Sequence, residues 1–454
     1  MACHETGALA KSWVTSGQFD IRIGMWHTDP YVNESVGREW RDPPAARALD
    51  DPMDQPTFAP LTTPRAIALH SMAFILPLTT LAFWLTAPHS TWAAVLWTAP
   101  VWILVYVDNH APPDRRQPPE DLPAWPFDLQ IYALFVLQIV NHVLLGVSVS
   151  RLHIDSWSSV WQALGMLVAV MVLTGTNAGY SGIVVAHEFV HRRNPIEFLL
   201  GRILLVGVLY EHFATEHVRG HHPRIGTPED PATARFGESH RDFVRRTIPA
   251  QFKSAWQLEK VRLGDANLRW YDRRMLRHRV LQGVLAEIAV LVGFGVYFGW
   301  LAALFFFVQA RTAVFLLETV NYIEHWGLSR TDKRVISTDS WDTENWFTLY
   351  TLVGLSRHAD HHAQASRPYQ KLRHFDETAK MPLGYYGTIL LALALNDRYR
   401  RYATAELQRK SLGPFRSGDS LPPNTHVHPS QRPSGGPSEP APAGETLPLA
   451  DAAR

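Results

Sequence analysis

Four short histidine clusters carry the side chains of this sequence that could do chemistry. They lie at 187–191, 216–222, 321–327 and 357–362, and they hold nine of the 22 histidines in the 454-residue chain. A neutral imidazole is the commonest metal ligand in proteins. The candidate metal ligands are His187, His191, His217, His221, His222, His325, His358, His361 and His362.

The spacing of these histidines indicates two ions rather than one. In three clusters two histidines stand four residues apart, and residues at this spacing share one face of an α-helix. The pairs are His187 with His191, His217 with His221, and His358 with His362. On a helix His222 and His361 each point about 100° away from a neighbouring pair member, so they can reach a second ion. Imidazole suits Fe, Zn, Cu and Ni, so spacing alone does not choose the metal.

An acidic residue accompanies each cluster: Glu188, Glu216, Glu324 and Asp360. A carboxylate beside a metal-bound histidine commonly accepts a hydrogen bond from the other ring nitrogen, which fixes the ring and raises its basicity. We predict this role for the four acids. The alternative is ordinary charge at the end of a helix.

Two other functional classes fit part of the pattern. His187 to His191 also matches His-Glu-x-x-His, the zinc protease motif in which the glutamate is the general base. A protease needs one further ligand and leaves the other three clusters unexplained. A histidine-rich metal carrier without enzymatic activity is the second alternative. The single cysteine, Cys3, excludes a cysteine-ligated zinc or iron–sulfur centre, so any electron carrier must be a separate protein.

Long apolar segments between the clusters predict an all-α integral membrane protein. About 20 apolar residues span the ~30 Å hydrocarbon layer of a bilayer. We expect about six transmembrane helices in a domain at 63–402, beneath a histidine-rich cytoplasmic helical cap. The spans are at about 67–87, 91–107, 131–149, 161–185, 280–298 and 301–320. The segment 197–210 is too short to span and predicts an interfacial or buried helix.

Both ends of the chain are polar. Residues 1–62 lack the apolar core of a signal peptide and predict a cytoplasmic arm. Residues 403–454 predict a tail that is largely disordered from about 412, because apolar residues are too few to form a core. Crossings counted from a cytoplasmic amino terminus return the first histidine cluster to the cytoplasmic face, in agreement with the arginines between 192 and 279.

Two charges lie inside the last predicted hairpin. Glu287 and Arg311 are each twelve residues from Gly299. At ~1.5 Å of rise per residue, two helices meeting at Gly299 place them at the same depth, ~18 Å from the turn. Since an unpaired charge in a membrane is costly, we predict that the two side chains pair. The alternative is that one of them faces a polar cavity alone.

At its histidine clusters the sequence resembles the integral-membrane alkane monooxygenase family, within the wider group of membrane fatty-acid desaturases and hydroxylases. The resemblance covers 67–401. The motifs are His-Glu-x-x-His at His187, Glu-His-x-x-Gly-His-His at Glu216, Asn-Tyr-x-Glu-His at Asn321 and Arg-His-x-Asp-His-His at Arg357. It implies six transmembrane helices and a cytoplasmic di-iron site held by the nine histidines. The implied reaction inserts one oxygen atom of O2 into a terminal C–H bond of an n-alkane, and the other oxygen leaves as water.

The resemblance also implies partners and a location. They are a hydrophobic hydrocarbon substrate, O2, a rubredoxin with its reductase, and the bacterial inner membrane; no nucleic acid is expected. Arg219 and other basic residues of the cap are expected to dock an acidic electron carrier.

The chain departs from the family pattern at four positions. Trp326 stands where a tyrosine is expected, Ser356 where glutamine is frequent, Ala359 in place of serine and Arg192 in place of lysine. None of them removes a ligand. They leave open a benzylic-methyl monooxygenase of the xylene or cymene type, served by a flavin and iron–sulfur reductase. A fatty-acyl desaturase or hydroxylase is the third alternative.

Overall fold

The computed structural model describes residues 58–330 and 333–416, and the regular secondary structure there is almost entirely helical. The helices in chain order are α1 (Thr63–Thr86), α2 (Thr91–His110), α3 (Trp125–Val149), α4 (Trp157–Val190), α5 (Pro195–Val206), α6 (213–224), α7 (His240–Arg262), α8 (Arg279–Phe298), α9 (Trp300–His325), α10 (Trp346–Thr351), α11 (His358–Ala363), α12 (Tyr385–Ala394) and α13 (Asn396–Lys410). The strands are β1 (Trp341–Asp342) and β2 (Ala379–Lys380), which pair in parallel. The prediction of an all-α fold is confirmed.

Six of the described helices are long and apolar enough to cross a membrane: α1, α2, α3, α4, α8 and α9. They have 20 to 34 residues and mean hydropathies of 1.3 to 1.9. The expected number of transmembrane helices is thus found in the described part of the chain. Most of the predicted amino-terminal arm, 1–57, and the tail from 417 onward lie outside the described residues.

The membrane helices pack around α9. Helix α1 lies against α3, α2 against α4, and α8 against α9, while α9 also contacts α3, α4, α7 and α12. From Glu318 to His325 every residue of α9 is buried. The carboxyl end of α9 therefore lies in the centre of the molecule, where the third histidine cluster begins.

Helix α4 is not regular throughout its length. It contains two π-helical turns, Val170–Thr174 and Ala178–Ile183, and returns to regular α-helix at Val184–Val190. Each π turn accommodates an extra residue and so rotates the face that follows it. The first histidine cluster stands directly after the second of these turns.

The polar segments between and after the membrane helices carry the second and fourth clusters. Asn194 caps α5, because its side-chain oxygen accepts a hydrogen bond from the backbone N–H of Ile196 at 2.9 Å. Helix α5 folds back along the end of α4. It has 12 residues and is not among the candidate spans.

The predicted ion pair between Glu287 and Arg311 is wrong. A carboxylate oxygen of Glu287 accepts a hydrogen bond from the backbone N–H of Glu211 at 2.6 Å, and Arg311 is exposed. The hairpin does turn at Gly299, between α8 and α9. The carboxylate of Glu287 is thus bound by the segment that follows α5.

Candidate metal centre

The nine clustered histidines come together in two adjacent groups at the carboxyl ends of α4 and α9. Within each group, one possible ligand atom from every ring lies within 4.8 Å of the others. The five-histidine group consists of His187, His191, His217, His222 and His361. The four-histidine group consists of His221, His325, His358 and His362. The groups are neighbours, since the ring of His222 stacks on that of His362 with centroids 4.3 Å apart.

In the five-histidine group the Nε2 atoms converge from three helices. His187 and His191 lie one turn apart at the end of α4, with ring centroids separated by 5.1 Å. His222 Nε2 is 3.0 Å from His217 Nε2 and 3.1 Å from His361 Nε2. The ring nitrogens of the five-histidine group therefore surround one common point.

The second cluster does not follow the predicted α-helical pairing. His217 and His221 belong to different groups, although they are four residues apart. The reason is local backbone geometry, because His217–His221 forms a π-helical turn. A π turn pairs residues five apart, so His217 shares its face with His222 instead. The same turn sends the adjacent His221 to the other group, as expected for neighbouring residues.

The four-histidine group is built across α6, α9 and α11. His358 and His362 stand four residues apart on α11, and their Nε2 atoms are 2.9 Å apart. His325 is fully buried at the end of α9, with its ring centroid 4.7 Å from that of His221. His325 is the only histidine of the third sequence cluster, and its neighbouring rings in the structure come from the second and fourth clusters.

Burial favours the unprotonated form of several of these imidazoles. Burial lowers the pKa of His191 to about 3, and the charge of His221 adds a smaller effect of the same sign. The pKa values of further ring nitrogens outside the membrane helices fall well below the usual value for the same reasons; they belong to His217, His222, His358, His361 and His362. A neutral imidazole is the form that binds a metal.

Several ring nitrogens of the two groups are buried without a hydrogen-bond partner in the described structure. They include the Nε2 atoms of His187, His191 and His221 and both ring nitrogens of His325. Buried polar atoms normally have a partner, and an orphaned one is costly. The lone pairs of these ring nitrogens converge without a hydrogen-bond donor, and a metal ion bound between the rings would accept them. The residues present therefore fit two ions, each held mainly by imidazole.

A small apolar cavity of about 40 Å³ ends at both histidine groups. Its walls come mostly from α4 and α9, with Ile183 and Val184 on one side and Leu316 and Val320 on the other. The histidines that reach it are His187 and His217 of the five-histidine group and His358 of the four-histidine group. An apolar molecule in this cavity would lie beside both groups.

Comparison with known proteins agrees with this geometry. The fatty acid desaturase family model matches residues 157–389, which include all four histidine clusters. Alkane 1-monooxygenase 1 of Pseudomonas aeruginosa is 40% identical over 318 residues, which cover 69% of this chain and 80% of that protein. The chain belongs to the alkane 1-monooxygenase family.

A second relative extends the match. Alkane 1-monooxygenase 2 of Alcanivorax borkumensis is 31% identical over 336 residues, which cover 70% of this chain and 85% of that protein. The chain is therefore an alkane 1-monooxygenase-like oxidoreductase, and its six apolar helices make it a multi-pass membrane protein. The resemblance seen at the histidine clusters is confirmed.

Three of the four positions where this chain departs from the family pattern make hydrogen bonds or salt bridges within the protein. The Trp326 indole N–H donates a hydrogen bond to the backbone oxygen of Glu238 at 3.0 Å. The backbone N–H of Ala359 donates to Asp342 at 2.8 Å. Arg192 forms salt bridges with three carboxylates, those of Asp128, Glu188 and Glu197, at 2.7 to 3.2 Å. None of these residues stands in either histidine group.

Three of the four acids predicted to support a histidine pair with arginine instead. Glu188 contacts Arg192 at 3.2 Å, and a Glu216 oxygen accepts a hydrogen bond from Arg224 at 2.6 Å. Asp360 contacts Arg367 at 3.1 Å and accepts from the backbone N–H of Arg373. A nearby guanidinium offers each of these buried carboxylates a charged donor, which a neutral imidazole does not. Their predicted support of a histidine stays a prediction.

Glu324 is the predicted acid that does contact a clustered histidine. One oxygen lies 3.2 Å from His358 Nε2, and the other accepts a hydrogen bond from the Tyr385 hydroxyl at 2.7 Å. Glu324 also lines the apolar cavity. It therefore adds a carboxylate oxygen beside the four-histidine group.

Asp230 is a supporting acid that the sequence reasoning missed. Its Oδ2 lies 2.8 Å from His221 Nδ1 and accepts a hydrogen bond from the Thr233 hydroxyl at 2.6 Å. Burial alone would raise the pKa of Asp230, but these contacts and the backbone N–H of Ala232 bring the pKa below its usual value. Asp230 is nine residues from His221 in the sequence, so the spacing within the clusters gave no signal for it.

The glycine of the second cluster makes room for an ion pair. A Cβ atom at Gly220 would lie 2.3 Å from Arg224 Nη2 and 2.5 Å from Glu216 Oε1. Any larger residue would push apart the Arg224–Glu216 pair that braces the π turn. Burial raises the pKa of Glu216 to about 7, and the charge of Arg224 opposes this rise.

Arg219 is already engaged within the protein. It forms a salt bridge with the buried Glu259 at 2.8 Å. Its side chain is still 32% exposed, and the docking of an electron carrier by Arg219 stays a prediction.

Proposed function

We propose that this protein is a terminal alkane hydroxylase with two iron ions, one for each histidine group. The reaction inserts one oxygen atom of O2 into a terminal methyl group of an n-alkane and gives a 1-alkanol. The observation that carries the proposal is the apolar cavity that reaches both histidine groups. The names of the relatives, alkane 1-monooxygenases, support it.

The walls of the cavity would bind and orient the substrate. An alkane has no hydrogen-bonding group, so it binds by burial of apolar surface. Ile183, Val184, Leu316 and Val320 supply such surface, and the same side chains exclude water from the reacting carbon. A methyl group at the inner end of the cavity lies next to the rings of the metal ligands.

The redox chemistry of the proposed reaction favours iron over zinc, and the ligand set is compatible with iron. The bound ions would supply the activation of O2 and the oxidation of the C–H bond, and zinc lacks the required redox chemistry. The nine ligands would be divided as five, from His187, His191, His217, His222 and His361, and four, from His221, His325, His358 and His362. Imidazole is a suitable ligand for iron.

The electrons would come from a separate protein. Each turnover needs two electrons, and the one cysteine of the chain, Cys3, cannot form an iron–sulfur centre. A rubredoxin with its reductase is the proposed donor. The proposed location is the bacterial inner membrane, with the histidine groups at the cytoplasmic face. The second histidine cluster stands within the arginine-rich sequence between Arg192 and Arg279, and such segments favour the cytoplasmic side.

Product analysis tests the proposal. Cells that express this chain with a rubredoxin and its reductase would be fed n-octane, hexadecane and p-xylene together. We expect primary alcohols from the alkanes by gas chromatography. Methylbenzyl alcohol as the sole product would overturn the proposal and assign the protein to the benzylic-methyl monooxygenases.

Metal analysis provides an independent test. We expect about two iron atoms per purified chain, and one zinc atom would indicate the protease alternative. His187→Ala, His221→Ala or His361→Ala should abolish product while the protein still inserts into membranes. Retained activity in all three variants would contradict the ligand assignment.

A further inference from the structure

A second, larger cavity lies between helices α3, α5, α8 and α9, away from the histidine groups. It is a half-open groove of about 510 Å³. Its apolar lining is Ile139, Val143, Leu199, Ile203, Val206, Val290, Phe294, Phe298 and Phe306. The groove exists because α8 is loosely packed: Val280 and Gly283 are its only buried residues.

The shape of the groove suits one extended hydrocarbon chain. It runs along α8 from Gln282 to Phe298. Sixteen residues of helix at ~1.5 Å each make this length about 24 Å. Phe298 closes the far end, where its ring packs against Gly146.

The near end of the groove is polar. The side chain of Glu211, which is 1% exposed, reaches this end, and its Oε1 accepts a hydrogen bond from Arg202 Nε. Its Oε2 is buried and has no hydrogen-bond partner in the described structure. The position of this oxygen depends on Gly283, because a Cβ atom there would lie 1.9 Å from Oε2.

The occupant of this groove needs an apolar chain and a hydrogen-bond donor, because the carboxylate oxygen at the end of the groove has no partner among the described residues. An alkane offers no donor and leaves the oxygen unsatisfied. A fatty-acid carboxylate offers only acceptors, so it would leave this oxygen unsatisfied and would lie beside the carboxylate of Glu211. An alcohol can donate one hydrogen bond to the carboxylate oxygen, and its apolar chain fits the apolar lining of the groove.

We propose that this groove is a binding site for a long-chain primary alcohol, with Glu211 Oε2 accepting the hydroxyl hydrogen. The segment 207–213 separates the groove from the metal centre: Gly207 and Glu211 line the groove, and Phe213 lines the cavity at the histidines. That the alcohol is the product of the metal centre rests on the proposed function. The binding itself does not.

Photolabelling tests the site without turnover. The probe is 1-dodecanol with a diazirine in the middle of its chain, added to purified, metal-loaded protein in phosphatidylcholine nanodiscs. We expect labelled peptides from 280–298 and from the region of Ile139 and Val143. Unlabelled 1-dodecanol should compete at a roughly tenfold lower mole fraction than n-dodecane or dodecanoate, as one hydrogen bond to a charged group would give.

Two matched variants locate the site. Val290→Trp fills the groove, and Val292→Trp places the same ring on the outer face of α8, where Val292 is 57% exposed. Labelling should fall at least fivefold in the first variant and stay unchanged in the second. Glu211→Gln should remove the preference for the alcohol over the alkane while leaving the groove able to take the chain.

The proposal fails if alcohol, alkane and carboxylate compete equally, or if both tryptophan variants label like the parent protein. It also fails if phosphatidylglycerol, a lipid with free hydroxyl groups, displaces the probe better than 1-dodecanol does, because the groove would then be a lipid site. Loss of hydroxylation with intact labelling would count against the proposed function and leave this site standing.

Discussion

The two histidine groups differ in the acids that touch them. In the four-histidine group, Asp230 lies 2.8 Å from the ring of His221 and Glu324 lies 3.2 Å from the ring of His358. In the five-histidine group, no carboxylate makes a hydrogen bond or salt bridge to a ring among the residues that the structure describes. The five-histidine group therefore has an additional imidazole, and the four-histidine group has two neighbouring carboxylates.

This difference indicates that the two proposed ions are not equivalent. A carboxylate that accepts a hydrogen bond from a metal-bound histidine raises the basicity of that ligand. An ion in the four-histidine group would thus receive more negative charge from its surroundings than an ion held by five neutral rings. Removing ligands or supporting acids from each group in turn should show which features each ion requires.

Deleting one ligand from each group should have the largest effect. His325→Ala leaves three imidazoles in the four-histidine group, whereas His191→Ala leaves four in the five-histidine group. We expect His325→Ala to retain about one iron per chain and to lose activity at least 100-fold, and His191→Ala to retain more iron. Elemental analysis of the purified proteins measures this difference.

The exposed His110, which lies outside both groups, provides the matched control for these variants. His110→Ala should keep the parent iron content and activity. Equal iron loss from His325→Ala and His191→Ala would show that the two groups hold their ions equally and would remove the predicted asymmetry.

Changing a supporting acid should have a smaller effect. Asp230→Asn keeps the shape of the side chain but removes the charge that faces His221, and we expect a loss of metal affinity of roughly tenfold or more. Glu188→Gln is the control, because Glu188 contacts Arg192 and not a clustered histidine. Competition with an iron chelator measures both. A larger iron loss from Glu188→Gln than from Asp230→Asn would contradict the assignment of roles.

Sequence spacing predicted which histidines would meet, because ligand type and helical periodicity are local properties. It failed for the pairing of His217 with His221, since the π turn at His217–His221 changes which residues share a face. Nothing in the residue types of this turn distinguishes it from a regular α-helix. The split of neighbouring residues between the two groups, such as His221 and His222, holds in either geometry.

Partners that are distant in sequence were harder to predict. Asp230 reaches His221 because the loop after α6 folds back over it, and Glu287 meets the backbone of Glu211 because α5 returns along α8. Both contacts depend on how segments pack, which periodicity does not specify. The membrane helices were predictable because length and hydropathy determine them.

Removing the hydroxyl that holds Glu324 should have the smallest effect on the comparison. Tyr385→Phe deletes the 2.7 Å hydrogen bond to Glu324, which frees its carboxylate to move relative to His358. One such bond contributes ~1 kcal/mol, so we expect about fivefold weaker binding of the ion in the four-histidine group and no change in the other. Tyr399→Phe is the control, since the Tyr399 hydroxyl donates to the backbone oxygen of Ile323 instead. Mössbauer spectra of the iron-loaded variants separate the two ions. A change confined to one of the two signals supports the assignment of Glu324 to the four-histidine group. Equal changes in both signals would show that the Glu324 carboxylate influences the two ions alike.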